Sequence, residues 1–241
     1  MAEITRVFHS SQLEAGDVLR LPEEDSHHVY KVLRGRVGDR IEVVDGAGRL
    51  FVAELLKGGE SNIVEERPAE SDEGAVTLYQ AVPKGRHMDL VVEKATELGV
   101  GRIVPLATER GVVRLEERNG KVRRWRRVAE AAARQSLRLR VPEVEGVVPF
   151  PGAAREAGES GVLLQNGVDL PPLEAVVPGL AVGLFVGPEG GWSEGELVVA
   201  REAGLQCASL GPFRLRSETA GVVAVARACA VYDARSVGRS R

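Results

Sequence analysis

The chain has 241 residues, and 32 Lys+Arg against 35 Asp+Glu give a formal net charge of -3. With 44% hydrophobic and 28% charged residues it has the composition of a folded globular chain of one large or two smaller domains, which excludes disorder and a collagen-like repeat. The run at 221–231 is short and broken by Arg227, residues 1–12 carry Glu3 and Arg6 without an apolar stretch, and Cys207 and Cys229 are two lone cysteines, so neither a membrane span, a secretory leader nor a disulfide framework is expected. This balance predicts a cytoplasmic protein.

The first 70 residues read as short strands. Residues 39–44 alternate, Asp45-Gly46-Ala47-Gly48 supplies a turn, and residues 50–55 resume the strand, which is a hairpin pattern. Val37-Gly38-Asp39 marks another turn and 61–65 a further strand, so residues 1–70 suit a small β-barrel. The polar stretch 65–74, with its Pro and Gly, is the expected linker to a second domain over 75–241.

From Val76 the pattern alternates between strands and helices. Residues 76–82 and 102–107 are apolar strands, and 88–98 form an amphipathic helix with Met88, Val91, Val92, Ala95 and Leu98 on one face. A long helix over 121–137 sets Trp125, Val128, Ala129, Ala132, Ala133 and Leu137 against Arg123, Arg127, Arg134 and Arg138. Strands at 161–165, 180–186 and 206–210 and helices at 193–203 and 217–232 follow, the first of these helices opened by the capping box Ser193-Glu194-Gly195-Glu196. Such alternation predicts an α/β fold with a parallel sheet.

Net charge conceals an asymmetry. Residues 1–74 carry 9 basic and 16 acidic side chains, residues 75–150 carry 15 and 9, and residues 151–241 carry 8 and 10. The segment 110–140 alone has 11 basic residues against Glu116, Glu117 and Glu130. That excess suits a surface for a polyanion, and equally a solvated helix face.

Walker, Gly-x-Ser-x-Gly and His-Glu-x-x-His signatures are absent, and His9, His27, His28 and His87 lack the spacing of a metal site on a helix. Two loops carry the chemical signal, each at the C-terminal end of an expected strand, where open α/β sheets bind ligands. The first is Val186-Gly187-Pro188-Glu189-Gly190-Gly191-Trp192-Ser193, whose glycines let backbone approach a ligand. The second is Leu210-Gly211-Pro212-Phe213-Arg214-Leu215-Arg216-Ser217-Glu218-Thr219-Ala220, ending on a helix capped by Ser217. Glu218 suits the positive end of that helix, and Arg216 beside it has no evident structural task.

Several further runs complete a pattern: Arg6-Val7-Phe8-His9, His28-Val29-Tyr30-Lys31-Val32-Leu33-Arg34, Lys84-Gly85-Arg86-His87-Met88-Asp89, Lys94-Ala95-Thr96-Glu97-Leu98-Gly99-Val100, Glu109-Arg110, and Gln135-Ser136 with Arg138 and Val141-Pro142. In this order and with the two loops, the chain resembles the RsmE family of ribosomal RNA uridine methyltransferases, in the SPOUT superfamily of knotted S-adenosylmethionine enzymes. The resemblance spans nearly the whole length. It implies an N-terminal PUA-like β-barrel, a C-terminal α/β trefoil-knot domain, a homodimer and S-adenosyl-L-methionine as cofactor. It also implies methylation of nitrogen 3 of a uridine in 16S rRNA of the small ribosomal subunit, without a metal.

By match of motif, Val186, Gly187, Pro188, Glu189, Gly190, Gly191, Leu210, Gly211, Leu215 and Thr219 would hold the cofactor. Arg216 and Glu218 would be catalytic, as charge stabiliser and proton acceptor. Arg6, His28, Arg34, Arg86, Arg110, Arg134 and Arg138 would grip RNA. Many relatives of the family it resembles carry Arg at the position of Phe213, and often Glu at that of Arg134, so this chain departs from the family pattern there. Other readings are a SPOUT enzyme acting on transfer RNA or on a ribose hydroxyl, and a non-catalytic RNA-binding assembly factor.

Overall fold

A computed structural model describes residues 6–9, 13–68, 74–111, 119–167 and 169–239. The core of the expected linker, 69–73, and Arg114 and Arg118 of the basic segment lie outside the described residues. The chain divides into two units, 1–71 with 133–141, and 72–132 with 142–241. The segment 133–141, which the sequence places in the second domain, thus clusters with the first.

The first unit is a five-stranded sheet in the order β1-β3-β4-β5-β2: β1 (Arg6–Phe8), β2 (Val18–Arg20), β3 (Arg40–Val44), β4 (Leu50–Leu55) and β5 (Glu60–Arg67). Only β1 and β3 pair in parallel. Strand alternation sends Val7, Val43, Phe51, Ala53, Leu55 and Ile63 into one core. The opposite face holds Phe8, Val44 and Leu50, and there Ala133, Leu139 and Val141 cover it. Because both faces are covered, β3 is buried from Ile41 to Val44, including Glu42, where simple alternation predicts a half-exposed strand. Arg6 Nη2 compensates Glu42 at 2.6 Å. Between β2 and β3, α1 (Glu23–His27) runs into a π-helical turn (His28–Val32), tied down by Tyr30 Oη donating to Leu56 O at 2.6 Å.

β5 continues to Arg67 because it pairs across from Leu50, so the strand takes up the first three residues of the expected linker. Pairing overrides their polar composition here.

The second unit is an all-parallel sheet in the order β12-β10-β11-β6-β7-β8, with β9 also on β7. Its strands are β6 (Val76–Ala81), β7 (Arg102–Ala107), β8 (Glu143–Val144), β9 (Val148–Pro149), β10 (Gly161–Leu164), β11 (Val182–Val186) and β12 (Gln206–Ala208). Its helices are α2 (His87–Glu97), α3 (Asn119–Gln135, whose last three residues belong to the first unit), α4 (Phe150–Ala157), α5 (Leu173–Val176), α6 (Glu194–Glu202) and α7 (Ser217–Arg239). Both α4 and α6 pack over Tyr79, Phe185 and Leu163, with Tyr79 and Phe185 stacked at 4.2 Å and Phe150 edge-on to Phe185. Gln80, next along β6, points the other way, toward α7, which packs on α2, β6, β11 and α5.

α3 ends two residues short of the expected boundary. Leu137 takes φ 57° and stands half exposed, outside the helix rather than on its apolar face. Leu98 likewise falls past the end of α2 and is partly exposed, whereas Met88, Val91, Val92 and Ala95 are buried as expected.

The path of the last segment is distinctive. Leaving β12, Ser209 N donates to Pro171 O at 2.9 Å and Leu173 N donates to Ser209 O at 3.1 Å, which pins this segment to the β10–β11 connection. The chain then returns as α7 to β11 and β6 in the middle of the sheet. This pinning of the last segment to an earlier connection, and the return of α7 to mid-sheet, fit the trefoil knot that the resemblance implies, a topology ordinary connection rules argue against.

Candidate active site

Three strand ends meet at one cleft of about 490 Å³, at the C-terminal edge of β10, β11 and β12. Val186, Gly187, Pro188, Glu189 and Gly191 form one wall, and Leu210, Leu215 and Arg216 form another. Leu164, Gln165 and Asn166, from the end of β10, supply a third. That third wall is absent from the sequence reading. The strand-end argument applied to Gln165-Asn166-Gly167 would have found it.

The glycine loop is held from several sides. Trp192 closes its base by donating Nε1–H to Leu164 O at 3.1 Å, against the Phe150 ring. A Cβ on Gly187 would meet that indole at 3.1 Å, and Gly191 takes φ 71°, so both positions favour glycine. Ser217 Oγ donates to Gly187 O at 2.7 Å and accepts from Gln80 Nε2 at 2.9 Å. A buried relay thus fixes the start of α7 to the glycine loop. Arg214 Nη2 donates to Glu189 O at 3.0 Å, and Lys84 N to Glu189 Oε1 at 3.3 Å. The capping box at Ser193 and Glu196 forms as expected, and Glu196 also accepts from Glu109 N at 2.9 Å.

Other expected site residues stand apart from the cleft. Gly190 is exposed beside it, and Gly211 turns the second loop at φ 127°. Thr219 is exposed and off its wall. Glu218 is buried, between Ser217 and Ala220 of the cleft wall, and its Oε1 lies 3.7 Å from Nδ1 of the half-exposed His87. His87, unassigned from the sequence, becomes the nearest titratable partner of that carboxylate.

The expected RNA-facing residues divide. His28, Arg34 and Arg86 are exposed. Arg86 lines a second cavity of about 440 Å³ together with Lys84, Lys121 and Arg124. Arg110 donates Nη1–H to Gly190 O at 3.1 Å and Trp192 O at 3.0 Å, so it clamps the glycine loop. Arg6 is committed to Glu42 and Leu137 O. Arg134 lies 5.9 Å over the Phe8 ring and 3.5 Å from Asp25. Arg138 is buried at 6% exposure and cannot stand on an open face as expected, because the 133–141 segment packs onto the first sheet. Charge in the sequence does not reveal which arginines the fold has already used.

Residues 70–229 match the RNA methyltransferase domain family, and residues 21–65 match the RNA methyltransferase PUA domain. The ribosomal RNA small subunit methyltransferase E of Mycobacterium bovis is 33% identical over 236 residues, covering 92% of this chain and 90% of that protein. The chain belongs to the ribosomal RNA small subunit methyltransferase E family.

Within this family, the crystal structure of the Neisseria gonorrhoeae enzyme bound to S-adenosyl methionine aligns with a TM-score of 0.79 at 31% identity, covering 93% of this chain and 96% of that one. A methyltransferase from Legionella pneumophila in complex with the same cofactor aligns at 0.78 and 30%, covering 97% and 98%. The family's two parts coincide with the expected architecture, a PUA-like sheet and a SPOUT-type parallel α/β domain, and the protein is an S-adenosylmethionine-dependent RNA methyltransferase. Among the described residues no cluster of three or more His, Cys, Asp or Glu is placed to hold a metal, and no helix is long and apolar enough to cross a membrane.

Proposed function

We propose that the protein transfers the methyl group of S-adenosylmethionine to nitrogen 3 of a uridine in 16S rRNA of the small ribosomal subunit. The observation that carries this reading is the convergence of the two glycine-bearing loops on one cleft, with Arg216 on its wall and Glu218, paired with His87, two residues further along. The volume of about 490 Å³ falls within the range of small-molecule sites, roughly 300–1,000 Å³. Apolar Val186, Leu210 and Leu215 suit the adenosyl face of the cofactor, and the backbone of 187–191 suits its polar edges. When bound, the cofactor supplies an electrophilic methyl carbon on a sulfonium.

Nitrogen 3 of uracil carries a proton and becomes a nucleophile when that proton leaves. Glu218 accepts it, and half-exposed His87, at 3.7 Å, passes it to solvent. Negative charge then spreads over the uracil oxygens, and Arg216 stabilises it from the cleft wall. Nitrogen 3 lies on the pairing edge, so the target base enters unpaired or extruded. Exposed Lys84 and Arg86 hold the adjoining phosphates, with His28 and Arg34 contributing from the PUA-like domain of 1–70. A homodimer fits the shallow surface along α7 where Ala226, Ala230, Val231 and Ala234 lie among Glu174, Arg227 and Arg235.

Calorimetric titration of the full chain with S-adenosylmethionine tests the reading. One site per chain is expected. Absence of binding would instead favour an RNA-binding assembly factor that keeps the fold without turnover.

A further inference from the structure

We propose that Phe213 is a stacking platform on the rim of the cofactor cleft for an unpaired base of the RNA substrate, next to the target uridine. The proposal rests on the methyltransferase reading above and adds a contact that sets how the RNA strand is held.

Five phenylalanines occur in the chain. Phe8 is 5% exposed and Phe51, Phe150 and Phe185 are fully buried, whereas Phe213 is 79% exposed. A Phe in that state contributes nothing to the core, and single exposed apolar residues are common, so its place beside the cleft carries the argument.

Its position argues for the kind of ligand. Phe213 stands in the 211–216 loop, and Arg214, Leu215 and Arg216 immediately after it line the cleft. The loop is pinned on both sides of the ring. Gly211 N donates to Ser209 Oγ at 3.1 Å, and Arg214 Nη2 donates to Glu189 O at 3.0 Å. A bare aromatic face on an anchored loop, next to the exposed guanidinium groups of Arg214 and Arg216, matches a nucleotide: the base stacks on the ring, Arg214 meets its phosphate, and Arg216 stays with the target uracil. An apolar protein surface would have to desolvate those guanidiniums and so fits less well. Methylation at nitrogen 3 requires the target to leave its stack, which exposes the face of its neighbour. Phe213 covers that face.

The test compares F213A, F213L and F213W with the unaltered protein on unmodified small ribosomal subunits. F213A is expected to lower kcat/KM for the subunit by roughly tenfold or more, the range of alanine substitution at base–aromatic stacks, chiefly through KM. F213W should retain near-normal kcat/KM, F213L should not, and calorimetric affinity for S-adenosylmethionine should be unchanged in all three.

F213A at unaltered kcat/KM, full rescue by F213L, loss of cofactor affinity, or a changed oligomeric state by light scattering would each overturn the proposal. F213W supplies a second readout independent of turnover. Trp125 and Trp192 are buried, so an indole at 213 is the exposed reporter, and a single-stranded uridine-containing oligonucleotide should quench it. No quenching overturns the stack. Quenching of F213W by the oligonucleotide together with no methylation of the subunit by the wild-type protein contradicts the parent reading alone.

Discussion

Glu218 occupies the first turn of α7, where the partial positive charge of the helix end stabilises a carboxylate whatever its chemical task. Capping and proton acceptance are separable, because a glutamine keeps the shape and loses the basicity. E218Q is expected to reduce turnover by about 100-fold or more, the low end for loss of a general base, with cofactor affinity held within about twofold. Single-turnover kinetics beside calorimetry reads both. Near-normal turnover would leave Glu218 as a helix-end carboxylate paired with His87 and move the proton acceptor elsewhere. The neighbouring Ser217–Gln80 relay also acts at this scale, since it ties the helix bearing Glu218 to the carbonyl of Gly187.

The β3–β4 turn shows how one side chain sets an element. Asp45 Oδ1 accepts from Ala47 N at 2.8 Å and Arg49 N at 3.1 Å, and its Oδ2 accepts from Arg49 Nε at 2.7 Å. Burial pushes the Asp45 carboxyl up, but the Arg49 guanidinium and the two backbone donors outweigh it and hold the carboxyl below its ordinary value. A folded-state value lowered in this way stabilises the turn above the unfolded carboxylate range, and the contribution is lost as pH falls through the folded value. D45N should therefore cost about 1–2 kcal/mol at neutral pH by denaturant unfolding, with the gap from wild type closing at acid pH. A gap independent of pH would contradict this. Regular elements with strong periodicity were legible in the sequence: β7 matches its expected bounds, and α2 differs by one residue at each end. The region between α3 and β10 was not. The strands β8 and β9 are two residues each and exist only through pairing with β7, and α4 begins on Phe150-Pro151 after an extended Pro149, a proline-rich start that reads as loop. Two walls of the cleft were legible because glycines and a cap cluster there. The third, Gln165-Asn166, carries ordinary polar residues that only the meeting of three strand ends brings together.

At the scale of the whole molecule, the formal charge of -3 conceals an acidic first third and a basic middle. The fold redistributes that contrast, since Arg134, Arg138 and Arg140 lie in the 133–141 segment that clusters with the first unit. Arg138 is buried there and Arg134 packs over Phe8. The exposed cations are consequently fewer than the sequence count suggests, and they include Lys84 and Arg86 beside α2. Family membership settles the enzyme class, while in the proposed reading the atom methylated depends on how Arg216, Glu218 and the RNA-facing residues present one base to the cofactor. The most direct measurement is to incubate unmodified small subunits with the protein and labelled S-adenosylmethionine, then map the modified nucleotide by mass spectrometry. A single methyl group on nitrogen 3 of one 16S rRNA uridine is the predicted result; a methyl on a ribose hydroxyl, or no label in that RNA, would contradict it.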